Sequence, residues 1–165
     1  MTGRHGKLDG DAARCDRHNK ERAMTEVITD IPEQLDPPTD PAASLYQRLG
    51  GTYGIAAAVD HLVDRLYVNG AANANPKVAE FHAQMGHAGF KFLVTAWSIQ
   101  ECGGPRIYPG KDMREAHEHL SVTSREFDIV ATEIKASLYH LNVPEREFDE
   151  FMAIIYSFKA MVLNQ

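Results

Sequence analysis

The chain reads as an all-α protein, and three observations carry that reading. Apolar residues recur at three- and four-residue spacing from Leu45 onward, as in Ile55, Val59, Leu62, Val63 and Leu66, which puts them on one helix face. No run shows the strict apolar–polar alternation of a half-buried strand. Capping residues open several of the periodic stretches, and Gly, Asn or Pro close or separate them.

Composition sets the outer bounds. With 165 residues, 44% of them hydrophobic, the chain suits a single core. A net charge of -6 and no Lys/Arg stripe interleaved with aromatics argue against a nucleic-acid binder. No apolar run approaches the ~18–20 residues of a membrane span. The first twenty residues are charged throughout and lack an apolar stretch, so no secretory signal is expected and the cytoplasm is the default location. Two cysteines, Cys15 and Cys102, predict neither a disulfide framework nor a zinc site.

Residues 1–44 mix charges without period and end in Asp36-Pro37-Pro38-Thr39-Asp40-Pro41. Such a stretch buries too little apolar surface to offset its chain entropy, so a disordered polar leader is expected there, with Met24 as an alternative start. A folded domain is expected over 45–165.

Within it, Ser44 caps a short turn over 45–49 that Gly50-Gly51 stops. An amphipathic helix of about four turns follows, and it gives way to the loop Asn69 to Pro76. A short helix from Lys77 to about His82 comes next. A longer one is expected from about His87 to Glu101, with Phe90, Val94 and Trp97 along one side. Gly103-Gly104 ends it. After a tight loop, Met113, His117 and Leu120 align on one face of a short helix. Thr123-Ser124-Arg125-Glu126 is a capping box. The helix it opens carries Phe127, Val130, Ile134, Leu138 and Leu141. Asn142-Val143-Pro144 starts the last helix, whose stripe is Phe148, Met152, Ile155, Lys159 by its stem, and Val162.

The stretch from Gly103 to Leu120 is the most informative, because one histidine on an apolar helix face suits a neutral imidazole offered to a metal. Taken alone, that histidine reads first as a hydrogen-bonded core residue. Its surroundings decide. Leu45-Tyr46-Gln47-Arg48-Leu49-Gly50-Gly51, Gly103-Gly104-Pro105-x-x-Tyr108-x-Gly110, Met113-x-x-Ala116-His117 and Leu120-Ser121-Val122-Thr123 leading to Phe127 stand in a fixed order. That order resembles the truncated hemoglobins, group I most nearly, over nearly all of residues 45–162.

The resemblance implies a two-over-two helical sandwich around a b-type heme, with His117 as the proximal iron ligand. A proximal imidazole must be neutral, and its other N–H needs an acceptor, expected from a backbone carbonyl near Met113 or Arg114. The resemblance also implies Met113 under the porphyrin, Tyr108 at the heme edge, and Lys111 or Arg114 reaching a propionate. Phe81 and Trp97 are expected against the heme, Trp97 otherwise as a core residue. Gly110 is expected to let the loop bend.

On the distal side the chain departs from its relatives. Counted without gaps from Gly50-Gly51, the usual ligand-binding tyrosine position holds Val63; counted back from Gly103-Gly104-Pro105, the ligand-facing positions hold Phe90 and Val94. All three are apolar, and Arg65 supports the count. His82, where relatives commonly place a heme-packed phenylalanine, and His87, one turn before Phe90, are the candidates to donate to a ligand or to bind iron, His82 preferred; the alternative is that both are heme-edge or surface residues. Tyr67 becomes a donor only if the register slips by one turn. His61, His119 and His140 default to surface or helix-flank positions.

The function implied is binding of a diatomic gas (oxygen, nitric oxide or carbon monoxide) at heme iron. The apolar set favours nitric-oxide detoxification, a redox role or sensing over oxygen transport or storage, with a reductase as the possible further partner. The alternative is a heme-free helical interaction module that keeps the fold. Acid–base catalysis by Glu145, Glu147, Asp149 and Glu150 ranks behind both, since carboxylates at a helix start suit its dipole.

Overall fold

The structure, a computed structural model, describes residues 42–163. Residues 1–41 of the expected leader, with Cys15 and Met24, lie outside the described residues. The helices run in the order α1 (Leu45–Arg48), α2 (Gly51–Val68), α3 (Pro76–Glu101), α4 (Met113–His117), α5 (Ser124–His140), α6 (Glu145–Ser157) and α7 (Lys159–Val162), with a 3₁₀ turn at Ala72–Ala74. Among the described residues the sole β feature is an isolated parallel bridge between Val122 and Leu163.

The caps expected at Ser44 and Thr123 form, and Asn75 adds a third. Ser44 and Gln47 make a reciprocal capping box on α1, and Thr123 and Glu126 make another on α5. Asn75 caps α3 by accepting from the Lys77 N–H, with Pro76 at the first helical position. Each arrangement satisfies amide donors that a helix start leaves unpaired.

Three boundaries differ from the sequence reading, each for a local reason. The short helix after Pro76 runs past His82 to Met85 and joins the longer one across a break at Gly86 (φ 68°, ψ 161°). That backbone region is open essentially to glycine alone, so the longer helix does restart at His87. The helix ending near Leu141 stops there because Asn142 turns left-handed (φ 53°), leaving Leu141 exposed instead of in the buried stripe. The last helix divides at Phe158. Ser157 Oγ donates to the Ile154 carbonyl at 2.7 Å, and the Phe158 N–H turns to the Ile155 carbonyl instead, tightening the turn.

Helix α2 packs on both α3 and α5, and α6 packs on α5 and α1. Two buried clusters result. The larger gathers Leu62, Leu66, Phe127, Ile134, Leu138 and Met152 with neighbours from α7. The smaller gathers Leu45, Ile55, Val59, Val63, Ile99 and Cys102. Phe90 packs against both. Arg48 links the first helix to the last long one: its Nε donates to Glu147 Oε1 at 2.8 Å, its other nitrogens reach Glu150 and the Ala43 carbonyl.

Candidate functional site

The loop from Gly103 to Asp112 delivers α4, a helix too short to hold itself by propagation alone. Asp112 caps it by accepting the Glu115 N–H at 2.9 Å, and α4 rests on α7. Gly110 is needed for space more than for bending: a β-carbon there would meet the Tyr108 ring at 2.4 Å. The half-buried Tyr108 ring therefore folds back over its own loop.

His117 closes α4. Its Nδ1 lies 2.8 Å from the Met113 carbonyl oxygen, and a carbonyl only accepts, so Nδ1 carries the proton. A neutral ring in this tautomer has its lone pair on Nε2. Burial pushes His117 below the ordinary histidine range, with the Met113 bond opposing and His119 adding to the shift. A neutral Nε2 base on a capped helix meets the chemical demand of an axial iron ligand. Among the described residues no group of three His, Cys, Asp or Glu forms an all-protein metal site.

Met113, Phe81 and Phe90 are all partly buried against the larger cluster. Phe81 and Phe90 meet edge to face, with ring centroids 5.7 Å apart. Val63 is fully buried in the smaller cluster, against which Phe90, Val94 and Tyr67 pack. Trp97 is half-buried and packs edge-on against Phe158 at 5.3 Å, a contact that the broken last helix creates. Lys111 is exposed and pairs with Glu115 at 3.2 Å. His119 is exposed.

The distal candidates converge around Tyr67. Its ring stacks on His82 at 4.6 Å and lies 3.8 Å from the His87 ring and 6.2 Å from that of Phe90. Its hydroxyl donates to the His82 carbonyl at 3.2 Å, and burial raises its pKa. His82 is buried, and burial holds its imidazole below the ordinary range, with His87 contributing. His87 is exposed and lies 3.3 Å from Asp64. Arg65 pairs with Glu133 at 2.6 Å.

Two features escaped the sequence reading. Asn73 lies 2.8 Å from His82 Nδ1; within an Asn-rich loop nothing marks it from its neighbours. His61 and His140 stack on each other, centroids 4.2 Å apart and planes 9° from parallel. Their spacing of 79 positions gives no sequence signal. Cys102 is a free, buried thiol whose pKa is pushed up to about 12 by burial, which suits a core residue.

Comparison with known proteins agrees with this geometry. The family model described as bacterial-like globin matches residues 44–164. The group 1 truncated hemoglobin GlbN of Synechocystis sp. is 31% identical over 129 residues, covering 74% of this chain and 99% of that protein. A group 1 truncated hemoglobin of Chlamydomonas moewusii is 29% identical over 145 residues, covering 87% and 81%. The crystal structure of a 2/2 hemoglobin from Synechococcus sp., in the cyanomet state with covalently attached heme, superposes with a TM-score of 0.62. It is 29% identical and covers 74% of this chain and all of that one. The truncated hemoglobin from Tetrahymena pyriformis in its Fe(III) form, at 24% identity, gives a TM-score of 0.63 with the same coverage.

Proposed function

The chain belongs to the bacterial-like globin family and takes heme as its cofactor, and from that premise we propose that it binds a diatomic gas with His117 as the iron's protein ligand. Held by His117, heme would supply an iron able to take oxygen, nitric oxide or carbon monoxide. The observation that carries the assignment is the bond from His117 Nδ1–H to the Met113 carbonyl, which leaves Nε2 as a lone pair.

The surrounding side chains divide the work. Met113, Phe81, Phe90, Val94 and Val63 supply the apolar wall that excludes water from the ring. Trp97 supports it from behind through Phe158. Tyr108 shields the ring's edge, and Lys111 exchanges Glu115 for a propionate. His82 stands on the gas side, with Phe90 5.3 Å from its ring.

This apolar set favours nitric oxide or carbon monoxide over oxygen. A polarised oxygen ligand gains from a nearby donor, and the Tyr67 hydroxyl is already spent on the His82 carbonyl. The role that follows is nitric-oxide chemistry, redox work or sensing, with a reductase as partner where turnover is needed.

Absorption spectra in the ferric, ferrous and carbonmonoxy states test the assignment. A Soret band that His117→Ala abolishes or shifts, with the fold intact by circular dichroism, supports it. A colourless but folded wild-type protein would overturn it in favour of the heme-free interaction module.

A further inference from the structure

The strongest unassigned relationship is the one that holds His82. Asn73 sits just beyond α2, where the last carbonyls of a helix lack intrahelical partners. Its Nδ2 reaches three of them: Leu66 O at 2.8 Å, Asn69 O at 2.9 Å and Tyr67 O at 3.3 Å. Carbonyls only accept, so the amide nitrogen must point there and the orientation of Asn73 is unambiguous. Its Oδ1 is thereby turned to His82 Nδ1, 2.8 Å away. An amide oxygen accepts, so the proton lies on His82 Nδ1. The Tyr67 ring stacked on His82, and its hydroxyl on the His82 carbonyl, hold the imidazole in place.

We infer that Asn73 is a positioning residue that fixes His82 in its Nδ1–H tautomer, making Nε2 a Lewis base on the gas side instead of a hydrogen-bond donor. The inference rests on the proposal that His82 stands on that side. A donor would strengthen the hold on oxygen. A bare Nε2 does the opposite: it competes with gases for the iron as an internal ligand. The carbonyls at the end of α2 orient an amide, and the amide selects the tautomer.

The test uses the full-length, heme-loaded protein. Long-range proton–nitrogen correlation spectra of the diamagnetic carbonmonoxy form should show His82 protonated at Nδ1 and bare at Nε2. Asn73→Ala should shift the tautomer ratio about five-fold toward Nε2–H, the size of one lost hydrogen bond. Asn73→Asp keeps an acceptor oxygen and should retain Nδ1–H. The ferric spectrum should show a six-coordinate low-spin fraction that His82→Ala removes and Asn73→Ala weakens about five-fold.

Nε2–H in the wild type, or a ratio unmoved by Asn73→Ala, would overturn the positioning role. The wild-type reading needs no variant to fold. Identical ferric spectra for wild type and His82→Ala would overturn the Lewis-base consequence. If the protein carries no heme, the proposed function fails, and the same nitrogen spectra on the colourless protein still decide the tautomer.

Discussion

Gly54 faces the Leu49 carbonyl so closely that a β-carbon at Gly54 would lie 1.9 Å from that oxygen. Backbone meets backbone at the corner where α1 passes into α2, so no side chain can swing aside. Gly54→Ala should therefore destabilise by about 3 kcal/mol, the upper end of overpacking costs. Urea unfolding followed by circular dichroism measures it, and a midpoint equal to that of the wild type would show the corner relaxes freely.

The helix bearing His117 has five residues and one side-chain cap. Asp112→Ala removes that cap, at a cost of about 1 kcal/mol. Because α4 carries the ligand proposed for the iron, heme should also leave about five times faster, as followed by transfer to an excess of scavenger globin. Unchanged heme loss in a measurably less stable variant would mean that α7 alone positions His117.

Gas selectivity should respond to polarity at Val94 and stay indifferent to Tyr67. Val94→Gln introduces a donor on the side proposed to face the gas and should slow oxygen dissociation about ten-fold, the strength of one good hydrogen bond. Tyr67→Phe should leave that rate within about two-fold, because the hydroxyl it removes already serves the His82 carbonyl. A large acceleration in Tyr67→Phe would mean that Tyr67 turns toward the gas once heme is in place.

The stacked His61 and His140 rings give an acid sensitivity with a defined sign. His61 Nδ1 donates to Ser137 Oγ at 3.0 Å, whose own proton goes to the Glu133 carbonyl. Burial, then His140 and Arg65, hold His61 below the ordinary range, while Asp64 and Asp60 pull the other way. An unfolded histidine takes its proton near pH ~6.5, and folded His61 takes it only at lower pH. Between those values the unfolded chain holds more protons, so this contribution to stability is full above pH ~6.5 and lost as the pH falls. His140→Ala should move the His61 titration midpoint upward in a proton NMR titration. A midpoint that stays put would leave burial and Arg65 as its causes.

The caps at Ser44, Asn75 and Thr123 and the restart at His87 follow from short-range chemistry, which the chain spells out within four residues. The break at Phe158 does not. It depends on Ser157 bonding a carbonyl one turn back, and serine carries no mark that distinguishes that use from simple exposure. The hydrogen bond of His117 was equally legible: Met113 and His117 stand four apart, so the carbonyl that sets the imidazole's tautomer lies one helical turn away. The distal side was not. Tyr67, Asn73, His82 and Phe90 belong to three segments joined by a loop of weak pattern, and ungapped counting cannot show that Tyr67 lies between two histidines.

By itself, then, the sequence determined the all-α class, the globin order of its helices and the backbone partner of His117, because periodicity, caps and a one-turn hydrogen bond are local. Tertiary structure alone decided which nitrogen of His82 is bare, why Gly54 admits no side chain, and that His61 meets His140. Those outcomes rest on atoms brought within a few ångströms by packing, and sequence spacing carries no information about such approaches.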